Sequence, residues 1–165
     1  MVWHEYGHAV QDDQVPNFGT THQSASMGEG FGDYLAVTMS QKNSPDTNKT
    51  PWACVMDWDS TSYTSTVPHC LRRTDLNWTF PDHRNDEIHA AGQIWSRALW
   101  DMNQSLGRAV ANKIILEAQF AFTPGITMPN AAKTTIETAA ALFPGDPTIE
   151  QKTRQAFQAR QIPLN

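Results

Sequence analysis

The first residues of the chain that could do chemistry are the run His4-Glu5-Tyr6-Gly7-His8. If this run is helical, side chains four positions apart share one face, so both imidazoles can bind one metal ion. Two histidines at this spacing, with a glutamate directly after the first, are typical of a zinc site in which the glutamate activates a water molecule. The run therefore predicts a hydrolytic zinc centre with Glu5 as its general base.

A catalytic zinc needs a third protein ligand, and Glu29 is the best candidate. It lies within residues 27–33, which read Met-Gly-Glu-Gly-Phe-Gly-Asp. Asp33 follows Glu29 by one turn, so both carboxylates are expected on the same face of a second helix. Because a zinc-bound imidazole usually donates its other N–H to a carboxylate, Asp33 is expected to orient His4.

The elements that must position these residues are predicted to be helices. Apolar spacing, capping residues and proline or glycine stops predict helices at about 2–12, 27–40, 88–106, 110–121, 129–142 and 148–160. Thr148 and Gln151 form a capping-box pattern for the last of them. Residues 41–51 are rich in turn formers, and residues 52–85 predict irregular structure with few strands. The expected fold class is mainly α, with helices clustered around a metal site.

Two cysteines, Cys54 and Cys70, lie in the irregular region. An even cysteine count in a loop-rich segment makes a disulfide plausible, and a disulfide would indicate an oxidising compartment. The alternative is two unrelated thiols. Neither cysteine is needed for the predicted zinc site.

The composition limits the partners of the chain. Its 165 residues are 39% hydrophobic, which is enough for one domain with a sizeable core. The net charge is -5, and the 12 lysines and arginines are scattered, so nucleic acid is not an expected partner. We expect no membrane span either, because no apolar run approaches the required eighteen or so residues.

Asp57 and Asp59, which alternate in the run Met-Asp-Trp-Asp-Ser, are candidates for a second metal site. Their oxygens could bind calcium. Two carboxylates in a loop fall well short of the roughly six to eight ligands that calcium prefers, so calcium is only weakly supported.

Taken together, the motifs resemble the gluzincin metallopeptidases, the thermolysin-like group, and within it the fungalysin family and its bacterial relatives. The segments that carry this resemblance are residues 4–8, residues 26–34 and the run Glu-Ile-His-Ala-Ala-Gly-Gln-Ile-Trp at 87–95. The resemblance covers residues 3–39 and about 70–122 well, and the rest of the chain more loosely.

The resemblance implies the same zinc ligands, His4, His8 and Glu29, and adds two further roles. His89 matches the histidine that hydrogen-bonds the oxyanion formed when water adds to a peptide carbonyl. Arg72 resembles the arginine that holds a substrate carbonyl, although the adjacent Arg73 could take that place. The tyrosine that serves thermolysin-like enzymes as a second oxyanion donor has no match here.

Thermolysin-like enzymes consist of two lobes, with the zinc helix at the floor of the cleft between them. We therefore expect residues 1–165 to form a single helical C-terminal lobe, with an irregular, disulfide-bearing loop region. A β-rich lobe and a prosegment are expected upstream of this chain, which would make it a fragment that starts at the zinc helix. The upstream β-rich lobe and the prosegment are candidate partners of this helical lobe.

The function implied is a secreted zinc endopeptidase that hydrolyses protein or peptide bonds with one Zn²⁺ ion. The alternative is a zinc-binding helical module or remnant with little turnover, because the upper cleft wall is missing. A compact aminopeptidase is less favoured, since the Gly-x-Met-x-Asn segment typical of such enzymes is not found in the sequence.

Overall fold

The computed structural model describes residues 1–40 and 50–165, and these form a mainly helical structure, as predicted. The turn-rich segment expected at 41–51 lies outside the described residues, apart from its last two positions. In chain order, the described elements are α1 (Val2–Gln14), α2 (His22–Ser40), β1 (Cys54–Val55), α3 (Asp57–Ser60), β2 (Arg72–Arg73), α4 (Phe80–His83), α5 (Ile88–Leu106), α6 (Arg108–Gln119), α7 (Met128–Leu142) and α8 (Pro147–Ala159).

Helix α1 packs against α2 through a narrow stripe of its surface. Its buried residues are His4, Gly7 and Gln11, whose spacing of three and four positions places them on one face. A Cβ on Gly7 would lie 3.0 Å from the Cα of Gly32 in α2, and a Cβ on Gly32 would lie 2.8 Å from His4 Nδ1. The two glycines therefore let the helix backbones approach closely, with the His4 ring between them.

Helix α2 begins at His22, five residues earlier than predicted. The reason is a reciprocal cap at its start, in which Thr21 N–H donates to Ser24 Oγ and Ser24 N–H donates to Thr21 Oγ1, at 3.0 and 3.2 Å. The residues between the cap and Met27 are mostly polar, so apolar periodicity alone did not reveal this turn.

The centre of the fold is α2, which is buried on both sides, by α1 and by α5. Gly30 and Gly92 mark the crossing of α2 and α5, since a Cβ on Gly92 would lie 2.7 Å from the carbonyl oxygen of Ser26. Large apolar side chains fill the core around this crossing, among them Met27, Phe31, Tyr34, Ile94, Leu99, Met102, Ile114 and Phe157.

Helices α6, α7 and α8 pack behind α5 and complete the core. Ring stacking of Trp95 on Phe157, with centroids 5.1 Å apart, joins α5 to α8. The capping box predicted at Thr148 was wrong, because the N-cap of α8 is Asp146, whose carboxylate accepts the N–H of Thr148. None of the helices in the described residues is long and apolar enough to cross a membrane.

The irregular region between α2 and α5 is held by a small sheet and a covalent link. Strands β1 and β2 pair antiparallel, with Val55 opposite Arg72. The predicted disulfide between Cys54 and Cys70 is confirmed. Together the two connections bring β2 against the helical core, which places Arg72 beside α2.

Candidate metal centre

The structure brings His4, His8 and Glu29 together at the contact between α1 and α2. His4 Nε2 lies 3.2 Å from His8 Nε2 and 3.2 Å from Glu29 Oε2, and His8 Nε2 lies 3.6 Å from Glu29 Oε1. The potential ligand atoms all lie within 4.8 Å of one another. Among the described residues, this is the one group of three or more histidine, cysteine or carboxylate side chains close enough to hold a metal ion.

Asp33 lies behind this cluster, one turn along α2 from Glu29. Its side chain is 1% exposed, and its Oδ1 accepts a hydrogen bond from His4 Nδ1 at 2.9 Å. This contact turns His4 Nε2 toward Glu29. The ring is thereby oriented with one nitrogen on Asp33 and the other in the cluster.

Arg72 also contacts the carboxylate of Asp33. Its Nε and Nη2 donate to the two carboxylate oxygens of Asp33 at 2.6 and 2.7 Å, in a bidentate ion pair. Arg73 instead pairs with Asp75 at 2.6 Å. Of the two arginines left open by the sequence, Arg72 is therefore the one beside the cluster.

The charged side chains of the cluster change one another's pKa values. Burial would lower the pKa of His4, but the hydrogen bond to Asp33 and the nearby carboxylate of Glu29 outweigh it and raise the pKa to about 9. Burial would raise the pKa of Glu29, but the imidazole of His4 and its histidine neighbours keep that pKa below its usual range. Without a metal, the raised pKa keeps His4 protonated near neutral pH, between the carboxylates of Asp33 and Glu29.

The donor set fits a zinc ion. Glu29 Oε2 is buried and forms no hydrogen bond with the described residues, although it lies 3.2 Å from His4 Nε2. The Nε2 atoms of His4 and His8 thus lie together beside the Glu29 carboxylate, one oxygen of which has no hydrogen-bond partner among the described residues. Two imidazoles and one carboxylate are a known catalytic zinc set, and a cation there would give the unpaired oxygen a partner.

His89 lies at the first turn of α5 and faces the same cluster. Its Nε2 is 3.3 Å from Glu29 Oε2. Its Nδ1 donates to Glu87 Oε1 at 2.6 Å, while Glu87 Oε2 accepts the backbone N–H of His89. Glu87 thus caps α5 and fixes the His89 ring at the same time.

Sequence reasoning missed this role of Glu87. Two features of the sequence could have indicated it. Glu87 directly precedes a predicted helix start, where a carboxylate is a common cap, and it lies two residues before the candidate catalytic His89.

Glu5 is exposed and follows His4 in α1. Its carboxylate forms no hydrogen bond or ion pair with any residue that the structure describes. The geometry therefore leaves Glu5 free to meet a bound water or substrate, and its role as a base stays a prediction.

Asp57 and Asp59, the weaker metal candidates, lie in the short helix α3. No third ligand joins them in the part of the chain that the structure describes, since the metal-ligand cluster found there is the histidine and glutamate group. Calcium binding stays an untested prediction.

A cavity of about 330 Å³ opens beside the cluster, on the side of His8. It is lined by His8, Glu29, Gln11, Asp12 and Gly28, among others. The cavity is half open to solvent, so the candidate ligands can be reached from outside.

The sequence is similar to those of one family of metallopeptidases. The sequence profile of the fungalysin metallopeptidases matches residues 1–161. Among curated relatives, the chain is 28% identical over 112 residues to a probable extracellular metalloproteinase 2 of Arthroderma benhamiae, and 28% identical over 114 residues to the extracellular metalloproteinase mep of Aspergillus flavus. It is 26% identical over 112 residues to extracellular metalloproteinase 2 of Trichophyton rubrum.

These alignments cover only parts of the proteins compared. They take in 62% of this chain and 17% of each of the three relatives. No solved structure matches the chain significantly.

Proposed function

Because the chain belongs to the fungalysin metallopeptidase family, we propose that it carries the zinc site of an endopeptidase that hydrolyses protein or peptide bonds. The observation that supports this most strongly is the convergence of His4, His8 and Glu29, with Asp33 behind His4. These three side chains would hold the ion. A zinc ion bound there would polarise a substrate carbonyl and make a water molecule more acidic.

In this proposal, the other residues of the site bind substrate and move protons. Glu5 accepts a proton from the attacking water and passes it to the departing amine. His89, oriented by Glu87, donates a hydrogen bond from Nε2 to the oxygen that becomes negative. Arg72 holds a substrate carbonyl, and the bidentate pair with Asp33 fixes its guanidinium plane for this contact.

We further propose that residues 1–165 are one helical lobe and that an upstream β-rich lobe supplies the opposite wall of the cleft. The outer face of α1 supports this arrangement, since Val2 is 80% exposed and Tyr6 is 55% exposed. Exposed apolar side chains on a helix that carries a site are typical of a surface that meets another segment or partner. Such a wall would bind an extended substrate by strand addition.

A location outside the cell is part of the proposal. The Cys54–Cys70 disulfide is of the kind that persists in oxidising compartments, and the relatives are named as extracellular enzymes.

The test is the zinc content of the purified chain, measured together with its cleavage of a denatured protein, with and without a chelator. We expect one zinc per chain and cleavage that the chelator abolishes. Zinc without chelator-sensitive cleavage would favour the alternative, a zinc-binding module with little turnover. A chain that binds no zinc would contradict both.

A further inference from the structure

The two candidate ligand histidines differ in what holds their second ring nitrogen. His4 Nδ1 donates to Asp33, but His8 Nδ1 forms no hydrogen bond with any residue in the described ranges. A metal-bound histidine almost always donates its other N–H to an oxygen, which fixes the ring and raises its basicity. A partner for His8 is therefore to be expected.

Gln11 offers an acceptor that no described residue uses. It is 3% exposed, and its carboxamide forms no hydrogen bond within the described part of the chain. Because Gln11 lines the half-open cavity beside the cluster, its oxygen is available there as a hydrogen-bond acceptor. Gln11 also lies three residues after His8 in α1, which makes the two side chains neighbours on the helix surface.

Both groups lie near Gly28. Gln11 Oε1 lies 3.2 Å, and His8 Nδ1 lies 3.8 Å, from the point that a Cβ on Gly28 would occupy. Both atoms thus border the space that the missing side chain of Gly28 leaves open, in the cavity beside the cluster. The terminal torsion of a glutamine is soft, so turning the carboxamide toward the ring costs little.

Two carboxylates also lie near His8. Asp12 lies one turn beyond His8, but its Oδ1 accepts the backbone N–H of Asn17 at 2.9 Å. Glu29 faces the other ring nitrogen, with Oε1 3.6 Å from His8 Nε2. Asp12 Oδ2 accepts no hydrogen bond from the described residues, but Gln11 Oε1 is the acceptor that borders the same space beside Gly28 as His8 Nδ1.

We propose that Gln11 is a positioning residue for His8, whose Nδ1–H donates to Gln11 Oε1 when zinc is bound. The inference rests on the proposed function, because it concerns the zinc-loaded chain. It makes the two ligand histidines unequal: His4 is backed by a charged carboxylate and His8 by a neutral amide. Gly28 is the residue that leaves room for this contact.

The test compares zinc affinity, measured by competition with a chelator, in three variants of the whole chain. Gln11→Met removes the oxygen at nearly constant size and is expected to weaken zinc binding by about ten- to a hundredfold. Gln11→Glu keeps an acceptor and is expected to retain the affinity.

The matched control is Gln14→Met, in the same helix. The Gln14 amide donates to the carbonyl of Leu116 and serves packing alone, so its loss is expected to leave zinc affinity unchanged.

A second readout is nuclear magnetic resonance of the zinc-loaded, ¹⁵N-labelled chain. We expect slowly exchanging Nδ1–H protons on both His4 and His8, and loss of the His8 signal alone in Gln11→Met. This spectrum separates a specific contact from a general loss of packing. The spectrum of the unsubstituted chain decides the point even if Gln11→Met does not fold.

The outcomes are distinguishable. Zinc binding by the unsubstituted chain with equal affinity in Gln11→Met, or a His8 Nδ1–H that exchanges freely, would overturn the positioning role alone. Equal losses of affinity in Gln11→Met and Gln14→Met would also overturn it. Absence of zinc from the unsubstituted chain would overturn the proposed function, and this inference with it.

Discussion

At the scale of single residues, Asp33 connects the metal cluster to Arg72, the residue proposed to bind substrate. Its buried carboxylate is shared between His4 Nδ1 and the guanidinium of Arg72. Burial would raise the pKa of Asp33, but the bonds from Arg72 and His4 outweigh it and keep that pKa below its usual range. Because removal of one partner would leave a buried charge unpaired, the three side chains are expected to behave as one unit.

The base assignment of Glu5 gives the first prediction. Glu5→Gln keeps the shape of the side chain but cannot accept a proton, so the chain should bind zinc normally and lose cleavage by roughly 10²- to 10⁴-fold. Zinc content and the rate of peptide cleavage are the measurements. Glu117→Gln, at an exposed position of α6, is the control and should change neither. Full activity in Glu5→Gln would show that another group is the base.

The Glu87–His89 contact gives the second prediction. Glu87→Ser retains a residue that caps helices well but is too short to reach the His89 ring. Zinc affinity should stay the same, and kcat should fall on the order of ten- to a hundredfold, because the ring loses its orientation. Circular dichroism would check that α5 is intact. Unchanged kcat in this variant would remove Glu87 from the site.

At the scale of elements, two helix crossings set the geometry of the site. Gly7 and Gly32 bring α1 onto α2, and Gly30 and Gly92 bring α2 onto α5. Each contact is made by backbone atoms, so the separation of the helices is determined by the absence of side chains. The first crossing sets His4 against Asp33, and the second sets His89 against Glu29.

Gly30→Ala tests the second crossing. The added Cβ would overlap the carbonyl oxygen of Gly92, which is rigid backbone, so α5 must move away from α2. We expect a loss of about 1–3 kcal/mol in the free energy of unfolding, measured with urea. Gly145→Ala is the control, since a Cβ there meets nothing within 4 Å. Equal stability of the two variants would contradict the close crossing.

At the scale of the whole molecule, the helical core and the irregular region have different sources of stability. The helices share one large apolar cluster, whereas the small second cluster comprises Val37, Ala53, Val55 and Trp100. The region that presents Arg72 therefore depends more on the disulfide and on the two-stranded sheet.

The disulfide prediction follows from this difference. Replacing both Cys54 and Cys70 with serine removes a cross-link that closes a loop of about 15 residues, which is worth roughly 3 kcal/mol. The free energy of unfolding should fall by about that amount, while zinc affinity changes little. A reducing agent should destabilise the unsubstituted chain and leave the double variant unaffected. Equal stability of both chains under oxidising conditions would argue against the bridge.

Much of the candidate site could be predicted from sequence because its residues come in pairs spaced by about one helical turn. The spacing of His4 and His8 follows from helix geometry, and the separation of Glu29 and Asp33 follows from the same period. Five of the six predicted helices start within about two residues of their observed positions, and the start of α2 was missed because a polar cap replaced the apolar signal there.

Only the tertiary structure decided which distant residues complete the site. Arg72 lies 39 residues from Asp33 along the chain, and the pairing of β1 with β2 brings it there. The selection of Arg72 over Arg73 depends on that register, because neighbouring residues of a strand point to opposite faces. A helical period identifies side chains that share a face, but contacts between elements depend on packing, for which the spacing along the chain holds no information.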